Sequence, residues 1–297
     1  MKRNPLVLAA CVLVSACSIL ASSVEARAPA PPQLALYAMD CGFFFMQDTD
    51  FYADDGSFKG VSRALVNPCY LVRHGADYLL WDFGMPDSLA VSGRRLSPRA
   101  DVALTMSRTL ASQLAELHVE PAGIKFIALS HSHFDHIGNG SLFERATFLV
   151  DEREHAFMFR ADARKETMAI MGAHAPAMAE SYAVLERAKT VKISHAEPYD
   201  VFGDGSVTIY PAPGHTPGHR VLLVRLPQSG SVLLTGDMYH LAESREKRTV
   251  PRPNDRAQTL ASMTTVEKLA ADTGARVIRQ HVADDFFSLP AFPEALR

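Results

Sequence analysis

The 297-residue sequence predicts a single domain of the α/β class, built as a layered sandwich. Three observations support this prediction. Apolar runs of strand length recur along the chain, stretches with helical periodicity separate several of them, and no fixed-period repeat divides the sequence. Mixed strands and helices favour packed α/β layers over a helical bundle. A chain of this length can form one large core.

The apolar runs give the expected order of elements. Strands are expected at residues 34–39, 67–72, 78–82, 126–129, 147–150, 207–210, 221–226, 231–235 and 276–278. Helices are expected at residues 103–117, within 153–188 and at 259–271. In the first of these helices leucines recur at spacings of three, four and six residues, as on one face of a helix.

The amino terminus carries the pattern of an export signal. Lys2 and Arg3 precede an apolar run, residues 6–20, that is short for a membrane span, and small residues follow it. Two processing routes stay open. Residues 14–17 resemble a bacterial lipobox, which would make 1–16 a lipoprotein signal and Cys17 a lipid anchor. Residues 24–28 resemble ordinary cleavage sites, which would make 1–28 a signal peptide.

A short proline-rich linker follows the signal, and the folded domain is expected to span residues 34–297. We therefore expect an exported protein that is periplasmic, secreted or lipid-anchored. The net charge of −3 argues against a nucleic-acid partner, because phosphate binding needs clustered Lys and Arg. No oligomeric state is predicted.

Two cysteines, Cys41 and Cys69, lie in the expected folded domain. A pair in an exported protein can form a disulfide. Two buried free thiols are the equal alternative, since a sequence does not give the Cα separation that a bridge requires.

A dense group of metal-ligand residue types follows one of the expected strands. His131, His133, Asp135 and His136 stand within six residues, directly after the apolar run 126–129. Imidazole and carboxylate are ligands that zinc takes in proteins. The segment therefore predicts a metal site.

Three more candidate ligands occur in a similar position. His215, Asp237 and His281 each stand two to five residues beyond the end of an apolar run. Loops at the carboxyl ends of strands converge on one edge of an open α/β sheet, which is where ligands bind. We therefore expect these residues to join the first group in one site.

The HxHxDH motif, with a His, an Asp and a His further along the chain, resembles the metallo-β-lactamase superfamily. This resemblance implies an αββα sandwich and a site for two metals, expected to be Zn²⁺. It implies His131, His133 and His215 as ligands of the first metal. It implies Asp135, His136 and His281 as ligands of the second, with Asp237 bridging both. His219 is then expected to support the ligands, because the set is complete without it.

Two metals about 3.5–4 Å apart can share a hydroxide and stabilise a developing oxyanion. Lowering the pKa of water from about 15.7 to about 7 is worth roughly 12 kcal/mol. A single general base contributes less, typically a factor of about 10²–10⁴. We therefore expect hydrolysis by the shared hydroxide, with Asp135 taking or passing the proton.

The segments around the ligands resemble N-acyl-homoserine lactonases, which open the lactone of bacterial quorum-sensing signals. These segments are residues 40–42, 67–74, 81–84 and 236–240. Asp237 stands where β-lactamases of this fold have Cys or Ser. The relatives carry a Tyr three residues after the bridging Asp, where this chain has His240 and, one residue earlier, Tyr239. Tyr239 or His240 is expected to polarise the bound carbonyl.

The predicted function is therefore a dizinc lactonase that acts on a small molecule and quenches quorum-sensing signals. One alternative is a β-lactamase or another ester or thioester hydrolase of the same fold. An alternative of another class is an exported metal-binding protein without turnover. Turnover of a substrate panel by metal-loaded protein would separate these functions.

Two apolar clusters are candidates for an acyl-chain pocket. One comprises residues 43–46 and 51–52, in a segment expected to be a loop. The other comprises Phe157, Met158, Met168, Met171 and Met178. The alternative is ordinary core packing, which helical spacing of Met and Phe favours.

Overall fold

Two β-sheets form the centre of the computed structural model, which describes residues 33–93 and 95–297. The larger sheet has the strand order β4-β5-β1-β2-β3-β6-β7-β8, and the smaller one β13-β12-β11-β10-β9. The strands of the larger sheet are β1 (Leu34–Met46), β2 (Arg63–His74), β3 (Asp77–Trp81), β4 (Leu96–Arg99), β5 (Val102–Thr105), β6 (Phe126–Ala128), β7 (Thr147–Asp151) and β8 (Lys189–Ile193). Those of the smaller sheet are β9 (Tyr199–Asp200), β10 (Val207–Pro211), β11 (Arg220–Leu226), β12 (Gly230–Leu234) and β13 (Arg276–Ile278).

The helices of the described residues are α1 (Ser88–Ser92), α2 (Leu110–Glu116), α3 (Glu152–Met158), α4 (Ala161–Met171), α5 (Ala175–Arg187), α6 (Ser244–Lys247), α7 (Arg256–Thr273) and α8 (Ala283–Phe287). Short 3₁₀ turns occur at Asp50–Tyr52, Pro121–Gly123, Gly140–Phe143, Gly172–His174 and Gly236–Met238. Within residues 33–93 and 95–297, none of the helices combines the length and apolar character needed to cross a bilayer.

Three apolar layers hold the sandwich together. The inner faces of the two sheets meet in one cluster, which joins β1, β2 and β3 to β10, β11 and β12. The other face of the larger sheet packs against α2, α4 and α5. The other face of the smaller sheet packs against α7. This is the predicted αββα arrangement.

The structure corrects two expected elements. Residues 103–117 are not one helix, because 102–105 form β5 and helix α2 begins only at Leu110. Residues 43–46 are not a loop, because they extend β1 past a bulge and pair with β5, Phe43 with Thr105 and Met46 with Val102. The physical reason is the same for both: the two segments pair with each other, and this long-range backbone pairing overrides what the local sequence of each segment predicts.

Cys41 and Cys69 form a disulfide with a Cα–Cα separation of 5.7 Å. It links the bulged part of β1 to β2 and is fully buried. Of the two alternatives left open by the sequence, the structure therefore has the disulfide. The predicted signal segment 1–28, the candidate anchor Cys17 and the linker up to residue 32 lie outside the described residues.

The candidate ligands all follow the ends of strands, as expected. The segment 130–136 leaves β6, the segment 212–219 connects β10 to β11, Asp237 lies in the 3₁₀ turn after β12, and His281 follows β13. The two sheets thus bring four loops to one edge of the sandwich.

Candidate metal centre

Three imidazole nitrogens form a compact triangle at this edge. His131 Nε2 lies 2.9 Å from His133 Nδ1 and 3.1 Å from His215 Nε2, and the last two atoms are 3.0 Å apart. Tetrahedral zinc with Zn–N bonds of about 2.0–2.1 Å places its nitrogen ligands about 3.3 Å from one another. Three lone pairs directed at one point fit a cation better than three mutual hydrogen bonds.

Asp237 lies between two groups of ligand atoms and directs one oxygen to each. Its Oδ2 is 3.6 Å from His131 Nε2 and 3.5 Å from His215 Nε2. Its Oδ1 is 3.3 Å from His136 Nε2 and 3.0 Å from His281 Nε2. A carboxylate divided in this way is suited to bridging two metals.

The second group is completed by Asp135. Its Oδ2 lies 3.4 Å from His136 Nε2 and 3.7 Å from His281 Nε2. In each group the ligand atoms lie within 4.8 Å of one another. The structure thus brings all seven predicted ligands into two adjoining groups that share Asp237.

Several of these histidines have a partner on the ring nitrogen that points away from the ligand group, and this partner orients the ring. His281 Nδ1 donates to the Val66 carbonyl (2.8 Å), and His136 Nδ1 lies 3.0 Å from Asp82 Oδ2. His215 Nδ1 faces Asn254 Oδ1 at 3.2 Å. A proton held on the distal nitrogen leaves the lone pair of the other nitrogen free for a metal.

Burial prepares the first group for a cation. It lowers the pKa of His131 and His215 well below the usual value, and that of His133 to about 4. These rings are therefore neutral near pH 7, which is the form that binds metal. The free energy of unfolding should therefore fall when the pH drops below the ordinary histidine pKa of about 6.5. At such pH the unfolded chain binds protons that the buried rings do not bind in the folded state.

The second group has a different electrostatic balance. Burial works to lower the pKa of His136, but the carboxylates of Asp135, Asp237 and Asp82 outweigh it and raise that pKa well above its usual value. Metal binding displaces such a proton. His136 Nε2 and Asp237 Oδ1 are also buried without a well-directed hydrogen bond. Unpartnered buried donor or acceptor atoms at this point fit a bound ion.

His219 lies beside both groups and belongs to neither. Its Nδ1 donates to the Ala212 carbonyl (3.0 Å), and its Nε2 accepts from the backbone N–H of Asp237 (3.1 Å). Burial lowers its pKa to about 4, so the ring is neutral and this tautomer is fixed. His219 therefore holds the backbone of Asp237, which belongs to both ligand groups.

Tyr239 does not enter the site. Its hydroxyl donates to Glu267 Oε1 at 2.7 Å, and its ring is buried in the apolar layer beneath α7. The residue has extended backbone, φ −133° and ψ 103°, directly after the 3₁₀ turn. Consecutive side chains on extended backbone point to opposite sides. This placement corrects the expectation that Tyr239 reaches a bound carbonyl.

His240 faces the metal groups instead. Its Nε2 lies 3.1 Å from Asp237 Oδ2, and its ring stacks on Tyr52 with centroids 4.5 Å apart. Burial lowers the pKa of His240, so the ring is neutral near pH 7 and has one N–H. When that proton is on Nε2, it is donated to Asp237. In this geometry His240 contacts the Asp237 carboxylate and helps to orient it.

A pocket of about 670 Å³ opens over the two groups. Its polar lining includes His133, His215, Asp237, His240 and His281. Its apolar lining consists of aromatic and aliphatic side chains, among them Phe44, Phe51, Phe134, Phe157 and Ile170. Met158, Met171 and Met178 belong to the core, as their helical spacing favours.

Several residues of this region were not predicted from the sequence, and three of them illustrate why. Phe134 stands inside the metal motif, Asn254 contacts His215, and Glu154 lies behind the ligand loops. No local pattern marks Asn254 or Glu154, which lie 39 and 22 residues from their partners in the sequence.

Comparison with known proteins agrees with this geometry. A family model described as the metallo-beta-lactamase superfamily matches residues 63–281. This chain belongs to the metallo-beta-lactamase superfamily.

Within the superfamily, similar proteins include N-acyl homoserine lactonases. The lactonase AttM of Azorhizobium caulinodans is 28% identical over 276 residues, covering 88% of this chain and 97% of AttM. The lactonase AiiA of Bacillus thuringiensis subsp. kurstaki is 27% identical over 232 residues, covering 76% and 85%.

Solved structures show the same fold. A quorum-quenching N-acyl homoserine lactone hydrolase matches with a TM-score of 0.72 at 24% identity, covering 90% of this chain and 99% of the other. AidC, a dizinc quorum-quenching lactonase, matches with a TM-score of 0.59 at 19% identity, covering 90% of both chains. The predicted fold, the predicted family and the prediction of a metal-dependent hydrolase are thereby confirmed.

Proposed function

We propose that this protein is a dinuclear zinc hydrolase that opens the lactone ring of N-acyl-homoserine lactones. One observation carries the proposal: two groups of ligand atoms share Asp237 in a pocket that is also lined by aromatic and aliphatic side chains. An N-acyl-homoserine lactone has the matching division into a polar ring and an apolar chain. The names of the similar proteins AttM and AiiA support the same substrate class.

Zinc is proposed because the donors are imidazole nitrogens and carboxylate oxygens at spacings that suit tetrahedral coordination. His131, His133, His215 and Asp237 would hold one ion, and Asp135, His136, His281 and Asp237 the other. When bound, the ions would supply water activated for attack and a Lewis acid for the carbonyl.

The remaining tasks fall to side chains of this protein. Asp135 lines the pocket and also belongs to the second ligand group, so its carboxylate is placed to take or pass the proton of the attacking water. His240 holds Asp237 through their 3.1 Å contact. The apolar lining of the pocket would bind the acyl chain and exclude water from it.

The substrate prediction is a preference for acyl-homoserine lactones over β-lactams, thioesters and phosphodiesters. Each methylene added to the acyl chain and buried by the apolar lining should contribute about 0.8 kcal/mol of binding free energy. This corresponds to about a fourfold rise in kcat/KM per methylene until the pocket is full. The measurement is kcat/KM of zinc-loaded protein for lactones of increasing chain length and for the other three classes. Efficient hydrolysis of a β-lactam or thioester with negligible lactone turnover would refute the lactonase proposal.

We also propose that the protein is exported. Two observations support this: the signal-like pattern of residues 1–28, and the Cys41–Cys69 disulfide, which is typical of oxidising compartments. The mature protein is expected to begin at Cys17 or between residues 27 and 29. Mass spectrometry of membrane and periplasmic fractions distinguishes these termini. A cytoplasmic protein with an intact Met1 would contradict both routes.

A further inference from the structure

Glu154, on α3, is a buried carboxylate that connects two ligand loops, with only 1% of its surface exposed. Its Oε1 accepts from the backbone N–H (2.7 Å) and the hydroxyl (2.6 Å) of Ser132. Its Oε2 accepts from the Thr216 hydroxyl (2.6 Å) and the Gly218 N–H (3.1 Å). One side chain thus links the loop after β6 to the loop after β10.

The donors are neighbours of the first-group ligands in sequence. Ser132 stands between His131 and His133, and Thr216 follows His215. The two loops therefore meet the same carboxylate one residue away from the three nitrogens of the triangle. The separation of the two loops sets the distances from His215 Nε2 to His133 Nδ1 (3.0 Å) and to His131 Nε2 (3.1 Å). Glu154 limits this separation because it accepts hydrogen bonds from both loops.

The helix that carries Glu154 is itself fixed. Asp151 accepts from the backbone N–H groups of Arg153 and Glu154 at the start of α3. The buried Arg220 donates from Nε to Asp151 Oδ2 at 2.9 Å, so this start is tied to β11. The start of α3 is therefore held in place, and both loops hydrogen-bond to Glu154 at this fixed position.

Gly218, in the loop after β10, lies too close to the start of α3 for a residue with a side chain to replace it. A Cβ at Gly218 would lie 2.4 Å from the Glu154 backbone nitrogen and 2.6 Å from Asp151 Oδ1. The loop that carries His215 and His219 is thus packed directly on the start of α3.

The carboxylate is held by neutral groups. Among the described residues, no Lys, Arg or His forms an ion pair with Glu154 within 4.0 Å. A buried charge of this kind is costly unless its hydrogen bonds are complete, and four donors supply them here. Each oxygen accepts two hydrogen bonds, so loss of one donor weakens the stabilisation of the buried charge, whereas loss of one oxygen removes the acceptor of two buried donors.

We propose that Glu154 is a positioning residue for the first metal, fixing the His131–His133 loop and the His215 loop at the spacing that one ion requires. The inference rests on the metal site of the proposed function and is independent of which substrate is hydrolysed. Partners that orient metal ligands typically change metal affinity by about 10–100-fold when they are removed.

The test measures zinc affinity in two backgrounds that isolate the ligand groups. His281→Ala disables the second group, and His215→Ala disables the first. Glu154→Gln keeps the size of the side chain but turns an N–H group toward the donors of one loop. On the His281→Ala background it should raise the zinc Kd by about 10–100-fold, and on the His215→Ala background by less than about threefold.

Thr216→Val provides a second variant that removes a single hydroxyl donor, and it should shift the same Kd in the same direction by a smaller factor. Glu152→Ala is the matched control, since Glu152 lies on the same helix and is exposed. Thermal melting of the metal-free variants checks folding. Equal weakening in both backgrounds would reduce Glu154 to a general structural role, and unchanged affinity in both would overturn the proposal. Neither result depends on lactone turnover.

Discussion

Asp237→Ala is expected to release zinc from both groups and to lower kcat/KM by at least about 10³-fold. The reason is geometric. Among the described residues, Asp237 alone belongs to both ligand groups, with Oδ2 near His131 and His215 and Oδ1 near His136 and His281. Its loss would remove a ligand from each of the two proposed ions and the link between them.

The measurement is zinc content by elemental analysis, beside kcat/KM for a lactone. Reloaded wild-type protein should approach two zinc ions per chain, and the variant should hold fewer. Asp237→Asn, which keeps the side-chain shape, should fall between them, and Asp284→Ala is the control for removal of an exposed carboxylate outside both groups. Near-normal turnover with two ions retained would show that Asp237 is not the bridge, and a firm wild-type value of one would contradict a two-metal centre.

His240→Ala and Tyr239→Phe are expected to separate sharply. His240→Ala should lower kcat/KM by about 10–100-fold, because it removes a side chain that contacts the bridging carboxylate at 3.1 Å and lines the pocket. Tyr239→Phe should leave kcat/KM within a few-fold of wild type. It removes a hydroxyl that is bonded to Glu267, away from the pocket.

Tyr239→Phe is thus expected to act on stability, at about 1 kcal/mol for one lost hydrogen bond. Both variants should be assayed for kcat/KM and for free energy of unfolding. A large catalytic loss in Tyr239→Phe without loss of stability would mean that the phenol reaches the substrate during turnover. A kcat/KM equal to that of wild type in His240→Ala would show that His240 does not contribute to catalysis.

The candidate ligand residues could be predicted from the sequence, because the patterns that mark them are short and local. The ligands His131, His133, Asp135 and His136 share one short segment, and the other candidates each follow an apolar run. Strand ends in an α/β sandwich converge on an edge, so strand patterns and ligand residue types together predicted which side chains would meet. The fold class followed from the same patterns.

The directions of neighbouring side chains needed the tertiary structure. Tyr239 and His240 are adjacent in sequence, yet one packs beneath α7 and the other faces the metal groups. The 3₁₀ turn that ends at Met238 and the extended backbone after it decide which of them turns inward. A sequence pattern does not show which of two adjacent side chains faces the site, because a shift of one residue along extended backbone exchanges the two faces.

Long-range pairing was likewise decided only in three dimensions. β5 was predicted as part of a helix, since its strand identity comes from pairing with residues 43–46 of β1. The disulfide depends on a Cα separation between two strands, and Glu154 acts on Thr216, 62 residues further along the chain. The sequence by itself determined the α/β layering and the candidate ligand residues through short-range signals. The tertiary structure decided which remote groups hold those ligands in place, because such contacts arise only when the strands pair and the loops pack.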